Sequence, residues 1–315
     1  MRTIYMGTPE FAVPCLDALV AAGIEVALVV TRPDKPAGRG KHVQASPVKQ
    51  RAETLGIPVF QPPTLRDEAA QARLRAVAAD AMAVVAFGAI LPKAVLQMTR
   101  LGAVNVHASL LPRYRGSSPI HWVIVNGERD SGVTTMFMGE GIDTGDILLQ
   151  SRIPLAPRET AATLHDRLAA LAGPLLVETL RRLERGDLTP IPQDDHLALA
   201  IPKLNRDDGR LDWSRPAAEL DRRIRGFTPW PGAFTYLNGQ RLNIHAAVPL
   251  ERETARPAGQ VVAIESCAIV VACASGCLAI TELQPEGKRR MTAGAFLQGH
   301  PLAPGTSLGG GASEE

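Results

Sequence analysis

Thr3-Ile4-Tyr5-Met6-Gly7-Thr8-Pro9-Glu10-Phe11 runs from an apolar, β-branched stretch through a glycine turn into the start of a helical pattern. That order of strand, turn and helix decides the fold class, because it repeats. Strands are predicted at Val26–Thr31, Val59–Phe60, Ala83–Phe87 and Ala103–His107, separated by helices at Phe11–Ala22, Pro47–Leu55, Asp67–Ala79 and Pro92–Met98. Ser46 and Pro47 supply an N-cap and a first-turn proline. Such alternation predicts an α/β fold with an open, mostly parallel, Rossmann-like sheet and helices on both faces. The first turn carries Gly7 but lacks the second and third glycines of the dinucleotide fingerprint, and Pro9 removes an amide that would face a pyrophosphate. A nicotinamide dehydrogenase is therefore disfavoured. In such sheets ligands collect at the carboxyl ends of strands, which directs attention to the end of Ala103–His107.

Further along, Val133–Met138 and Asp146–Ile153 read as strands, and Thr160–Arg185 as helix ending at Gly186. Periodicity then fails among Pro190, Pro192 and Pro202, so residues 190–205 are predicted to be a linker after a first domain of residues 1–189. Beyond a short helix at Arg215–Arg225 come β segments at Phe234–Leu237, Leu242–Val248, Gly259–Ile264, Ala268–Cys273 and Leu278–Leu283. A smaller C-terminal β-barrel of OB-like type is expected over residues 206–304, with a disordered Gly- and Ser-rich tail over 305–315.

Composition limits what the chain can be. With 315 residues, 45% hydrophobic and 21% charged, it can bury two cores, which excludes a disordered or fibrous protein. No window reaches the roughly 18–20 apolar residues of a membrane span, and the first residues lack the regions of a signal peptide, so a cytoplasmic protein without membrane contact is expected. Cys15, Cys267, Cys273 and Cys277 form no C-x-x-C pair and have no histidine at zinc spacing; reduced thiols and no metal are expected. A net charge of +2 gives no global attraction to nucleic acid. Contact with RNA would have to come from local patches, and two exist: Arg32, Lys35, Arg39 and Lys41 against the single acid Asp34, and Arg222, Arg223 and Arg225. On charge alone each also reads as a solvated loop or helix face. In the first patch Pro33, Pro36, Gly38 and Gly40 leave little room for regular structure.

Polar groups concentrate in two segments, Asn105-Val106-His107-Ala108-Ser109-Leu110-Leu111-Pro112-Arg113-Tyr114-Arg115-Gly116 and Gly139-Glu140-Gly141-Ile142-Asp143-Thr144-Gly145-Asp146. On a strand Asn105 and His107 share a face, because side chains repeat every two residues. An amide beside an imidazole suits stabilisation of a tetrahedral oxyanion, and a carboxylate such as Asp143 can orient the ring or relay a proton. Each residue alone has a structural alternative: a satisfied core histidine, a strand-end cap and a turn aspartate.

The strings NVHASLLPRYRG and GIDTGD resemble the signature of the folate-dependent formyltransferases. That resemblance implies a catalytic triad of Asn105, His107 and Asp143, with 10-formyltetrahydrofolate as formyl-donor co-substrate. It further implies that Ser109, Leu110, Leu111 and Pro112, together with Phe87, Gly88 and Leu91 of the Phe87–Pro92 loop, bind the folate. The Thr31–Lys41 loop, Pro202-Lys203-Leu204 with Gly209–Trp213, and Arg225–Phe234 are similar to the branch of the family that formylates initiator methionyl-tRNA. By that similarity Arg32, Lys35, Arg39 and Lys41 contact the tRNA, and a monomer is expected. Formyl transfer to an amino-sugar nucleotide, hydrolysis of formyltetrahydrofolate, and a non-catalytic RNA-binding module stand as alternatives. Aromatic residues make up only 4% of the chain, so phosphate and shape contacts would dominate over base stacking.

Overall fold

The computed structural model describes residues 1–37 and 42–310. They form two compact units. The first comprises 1–119, 130–154 and 165–201; the second comprises 120–129, 155–164 and the chain from Pro202 onward.

In chain order the first unit begins with β1 (Arg2–Gly7), α1 (Val13–Ala21), β2 (Glu25–Val30), the short β3 (Lys35–Ala37) and β4 (His42–Gln44), α2 (Pro47–Thr54) and β5 (Val59–Phe60). It continues with α3 (Glu68–Arg75), β6 (Ala81–Val85), α4 (Lys93–Leu96), β7 (Ala103–His107) and β8 (Arg113–Arg115). After α5 (Pro119–Val125), which apart from Pro119 belongs to the second unit, come β9 (Asp130–Phe137), β10 (Ile147–Pro154), α6 (Ala161–Arg185) and β11 (Leu199–Ala200). The main sheet has the order β10-β9-β7-β6-β1-β2-β5. Its five strands from β7 to β5 are parallel, while β9 and β10 join antiparallel. Continuous burial along β1 and β6 reflects cover on both faces, whereas the alternating burial of β10 marks a strand with one exposed face. Helix α6 packs closely on α1 because Gly173 has no side chain: a Cβ there would lie 2.9 Å from the Pro14 carbonyl oxygen.

The second unit contains α7 (Ala217–Gly226), β12 (Ala233–Leu237), β13 (Gln240–Leu250), β14 (Val261–Glu265), β15 (Ala268–Ala272), β16 (Cys277–Pro285), β17 (Met291–Thr292) and α8 (Ala293–Gly299). Its antiparallel sheet has the order β12-β13-β16-β15-β14, with β17 on β16. Leu220 and Ile224 of α7 share a core with Trp213, Leu242, Ile280 and Leu283.

Five expectations are corrected. The second sheet does not close into a barrel; isolated bridges Leu237↔Leu308 and Gln260↔Ser307 are what the chain lays along its β12 end and beside β14. For the same reason residues 305–310 are not a loose tail, and Leu308 is buried in the core; 311–315 lie outside the described residues. The break between units does not fall at 189, because 120–129 and 155–164 belong with the second unit. Nor is 190–201 a free linker: Ile191 bridges Ile147 and β11 pairs with β8. The predicted irregular Arg32–His42 segment instead contains β3 and the first residue of β4, and the two pair antiparallel, each satisfying amides of the other.

Candidate active site

Strand β7 places Asn105 and His107 on one face at the carboxyl end of the sheet. His107 is 7% exposed, and its Nε2 lies 2.9 Å from the Tyr114 carbonyl oxygen. A carbonyl can only accept, so Nε2 carries the ring proton and Nδ1 is left to face the carboxylate Oδ2 of Asp143, 3.6 Å away. The same Oδ2 accepts from the backbone N–H of Gly116 at 2.9 Å. Asn105 differs from both, because its side-chain amide has no partner among the described residues. An uncommitted amide beside a bare ring nitrogen and a positioned carboxylate is an arrangement that can receive a carbonyl oxygen and move a proton.

Two turns hold these groups. Asp143 has φ +53° and Tyr114 φ +64°, left-handed values that non-glycine residues adopt at a cost of about 1 kcal/mol each unless their surroundings fix them. Gly145 makes the second turn possible: a Cβ there would sit 1.8 Å from the Phe137 carbonyl oxygen. The hydroxyl of Ser109 donates to the Arg113 carbonyl at 2.8 Å, and Thr134 donates to the Ser109 carbonyl at 2.6 Å, so both stabilise the loop after β7 from within.

The other predicted folate residues divide into two groups. Ser109 and Leu111 are buried, and Leu110 and Pro112 are half-buried. Phe87 and Leu91 belong to the core with Met6 and Val84, beneath a loop whose Gly88 and Ile90 are exposed, Ile90 at 81%. Ile142 is 71% exposed, and Lys93 meets Glu140 at 2.8 Å. The hydrogen bond from Lys93 holds the Glu140 carboxyl below its ordinary range. Of the predicted tRNA residues, Arg32 and Lys35 have side chains without ion pairs among the described residues, while Arg39 and Lys41 lie outside the described residues. The base of that segment is pinned: Asp34 accepts from Lys49 at 2.5 Å and from Gln61 at 2.6 Å, and the hydrogen bond from Lys49 leads in lowering the Asp34 carboxyl.

Sequence reading missed Thr8, Arg115 and Gln193. The Thr8 hydroxyl donates to the Phe87 carbonyl at 3.0 Å, tying the end of β1 to the loop after β6; its place in the first turn was the available signal. Gln193 touches Asp143, Gly145 and Arg115, yet it sits in a segment whose prolines read only as linker. Among the described residues no group of three or more His, Cys, Asp or Glu could hold a metal ion, and no helix is long and apolar enough to cross a membrane.

Residues 1–180 match the formyl transferase family, and residues 203–301 match the formyl transferase C-terminal domain. The chain is 48% identical over 315 residues to a methionyl-tRNA formyltransferase of Lachnospira eligens, covering 98% of this chain and 100% of the relative. It is 49% identical over 311 residues to the enzyme of the same name from Acidobacterium capsulatum, again covering 98% of this chain and 100% of the relative. Among solved structures it resembles an N-formyltransferase from Helicobacter canadensis in complex with folinic acid and dTDP-3-aminofucose, at TM-score 0.66 and 17% identity, covering 92% of this chain and 99% of that one. HypX from Aquifex aeolicus in complex with tetrahydrofolic acid matches at TM-score 0.63 and 19% identity over 94% of this chain, which spans about half (47%) of the HypX chain. At these identities the structural likeness speaks for the fold alone.

Proposed function

The chain belongs to the formyl transferase family, and from that premise we propose that it transfers the formyl group of 10-formyltetrahydrofolate to the α-amino group of initiator methionyl-tRNA. The observation that carries the chemistry is the uncommitted Asn105 amide beside His107 and Asp143 at the end of β7. The near full-length identity to methionyl-tRNA formyltransferases carries the choice of acceptor.

The folate, when bound, supplies an activated formyl carbon on N10. Asn105 donates to the formyl oxygen, and its contribution grows as negative charge develops there. His107, with Nε2–H committed to Tyr114, keeps Nδ1 beside Asp143 as an acceptor that can take up a proton released by the attacking amine. Asp143 accepts a proton from the attacking amine and returns one towards N10, while the new C–N bond forms and the C–N10 bond breaks. No covalent enzyme intermediate is required, because the site holds two reactants together and thereby removes the entropy cost of their meeting. The exposed Gly88 and Ile90 offer a ledge on which a flat heterocycle and its linker would rest. Arg32, Lys35, Arg39 and Lys41 would meet RNA phosphates.

All the residues invoked come from one chain, so a monomer suffices, and the cytoplasm is where charged tRNA is available. The second unit would add phosphate contacts that fix the register of the acceptor end. An acceptor panel of methionyl-tRNA, an amino-sugar nucleotide and water alone tests the reading. Formyl transfer to methionyl-tRNA is expected to dominate; turnover only with the sugar nucleotide or with water would overturn it.

A further inference from the structure

The segment Pro190–Ala200 leaves the helical part of the first unit without regular periodicity, yet it is fastened at both ends. Ile191 exchanges two backbone hydrogen bonds with Ile147, at 2.8 and 2.9 Å. Leu199–Ala200 pairs in parallel with Arg113–Arg115, and the Ile201 N–H donates to the Arg115 carbonyl at 2.9 Å. Between these anchors every residue from Ile191 to Leu197 is exposed except Gln193.

The amide of Gln193 is fully used. Its Nε2 donates to the Asp143 carbonyl at 2.9 Å and to the Gly145 carbonyl at 2.7 Å, and Met136 Sδ lies 3.9 Å away. Its Oε1 accepts from Arg115 Nε at 3.0 Å, while Arg115 Nη1 meets Asp195 at 2.9 Å. The orientation is fixed by chemistry, since two carbonyls can only accept and a guanidinium can only donate. One side chain therefore joins the left-handed turn at Asp143 to the corner at Arg115-Gly116. Those are the two pieces that locate the Asp143 carboxylate: its own backbone turn, and the Gly116 N–H that binds Oδ2 at 2.9 Å. Met136 is also the residue paired across the sheet with Asn105.

We infer that Gln193 is a positioning residue for the transfer step, holding Asp143 at its distance from His107 through the turn and the Arg115-Gly116 corner. The inference rests on the functional reading above in one respect, that Asp143 takes part in the reaction. Among the described residues the hydrogen bonds of Gln193 reach Asp143, Gly145, Met136 and Arg115 and neither His107 nor Asn105, so it acts through Asp143. The segment that joins the units in sequence is by this account part of the catalytic apparatus.

The test uses the full-length chain with Gln193→Ala, Gln193→Asn and Gln193→Glu, alone and combined with Asp143→Asn. Gln193→Ala is expected to lower kcat by roughly ten- to a hundredfold, with KM for both substrates changed less than about threefold, since misplacing a reactive group by an ångström costs rate rather than binding. Gln193→Glu does not restore activity at neutral pH, because a carboxylate has no hydrogen to give the two carbonyls. Added to Asp143→Asn, Gln193→Ala costs less than about twofold more, as expected for residues acting in series. Three outcomes overturn the inference: kcat of Gln193→Ala within twofold of the parent, full additivity with Asp143→Asn, or a loss of kcat that tracks a fall in melting temperature and disappears on cooling. The parent enzyme on methionyl-tRNA is the control. If it is inactive there but active on another acceptor, the acceptor assignment fails while the positioning inference is decided on the acceptor that works.

Discussion

The end of β7 and helix α7 were both conspicuous in the sequence as clusters of polar groups, and the structure uses them in opposite ways. In α7 the basic residues are committed: Arg222 Nε donates to the Val125 carbonyl at 3.1 Å, Arg223 meets Glu219 at 3.2 Å, and Arg225 meets Asp221 at 2.9 Å and donates to the Glu159 carbonyl. At the end of β7, the Asn105 side chain has no partner among the described residues and the Nδ1 of His107 faces Asp143 beyond hydrogen-bond length. Buried polar groups are nearly always satisfied, so hydrogen-bonding capacity left open identifies a working site better than charge count does. The arginines of α7 are therefore read as structural, whereas Arg32 and Lys35 have no ion pair among the described residues.

The sharpest break of this comparison is His107→Ala or Asp143→Ala, each expected to lower formyl transfer at least about a hundredfold with an unchanged melt. Near-normal turnover in a folded variant would remove the catalytic reading of β7. The matching change in the second unit is Asp221→Ala. Asp221 is 4% exposed and binds both Arg158, at 2.8 Å, and Arg225, so its loss leaves two guanidinium groups without their carboxylate. A destabilisation of about 2 kcal/mol by denaturant melts is expected. Loss of tRNA affinity without loss of stability would instead return α7 to the RNA interface.

How much of this was legible depends on what kind of interaction each feature uses. β5 and β7 were read residue for residue, because local β-branched runs and the period of two are written in the chain itself. Helix α5 was missed: its seven residues, PIHWVIV, are apolar nearly throughout and carry no amphipathic period. The barrel was overread because strand spacing says nothing about whether edge strands meet. Gln193 was invisible for a related reason, since its partners Asp143 and Arg115 lie 50 and 78 residues away and only the fold brings them together. For Arg223 and Arg225, by contrast, acids lie four residues upstream at Glu219 and Asp221, so helix spacing alone could have paired them.

A milder contrast separates unpaired from paired cations. Lys35→Ala is expected to weaken tRNA binding by roughly two- to fivefold and to reduce the salt slope of log K by about 0.9, the value of one phosphate contact. Arg223→Ala, whose charge already faces Glu219, should leave the slope unchanged. Equal slopes for the two variants, measured by filter binding across a salt series, would show that internal pairing does not sort RNA-facing cations from structural ones.

The smallest effect belongs to an exposed ion pair beside the site, Lys93 with Glu140. Both side chains are mostly exposed, at 66% and 71%, so water and salt screen the attraction and ordering two flexible chains opposes it. The Glu140 carboxyl is lowered by the hydrogen bond from Lys93, and the Lys93 ammonium is raised by the same bond. The pair is thus fully formed above the ordinary carboxyl value of 4.5 and below the ordinary amine value of 10.5. It is lost as pH falls through the lowered Glu140 value or rises through the raised Lys93 value. Across the neutral range it gives no pH dependence. Lys93→Ala and Glu140→Ala should each change kcat/KM less than about twofold, with the difference from the parent shrinking further at high salt. A tenfold loss in either variant that salt does not diminish would mean that this pair closes the mouth over the formyl donor, so that an exposed contact, and not only the committed groups beneath it, sets the rate.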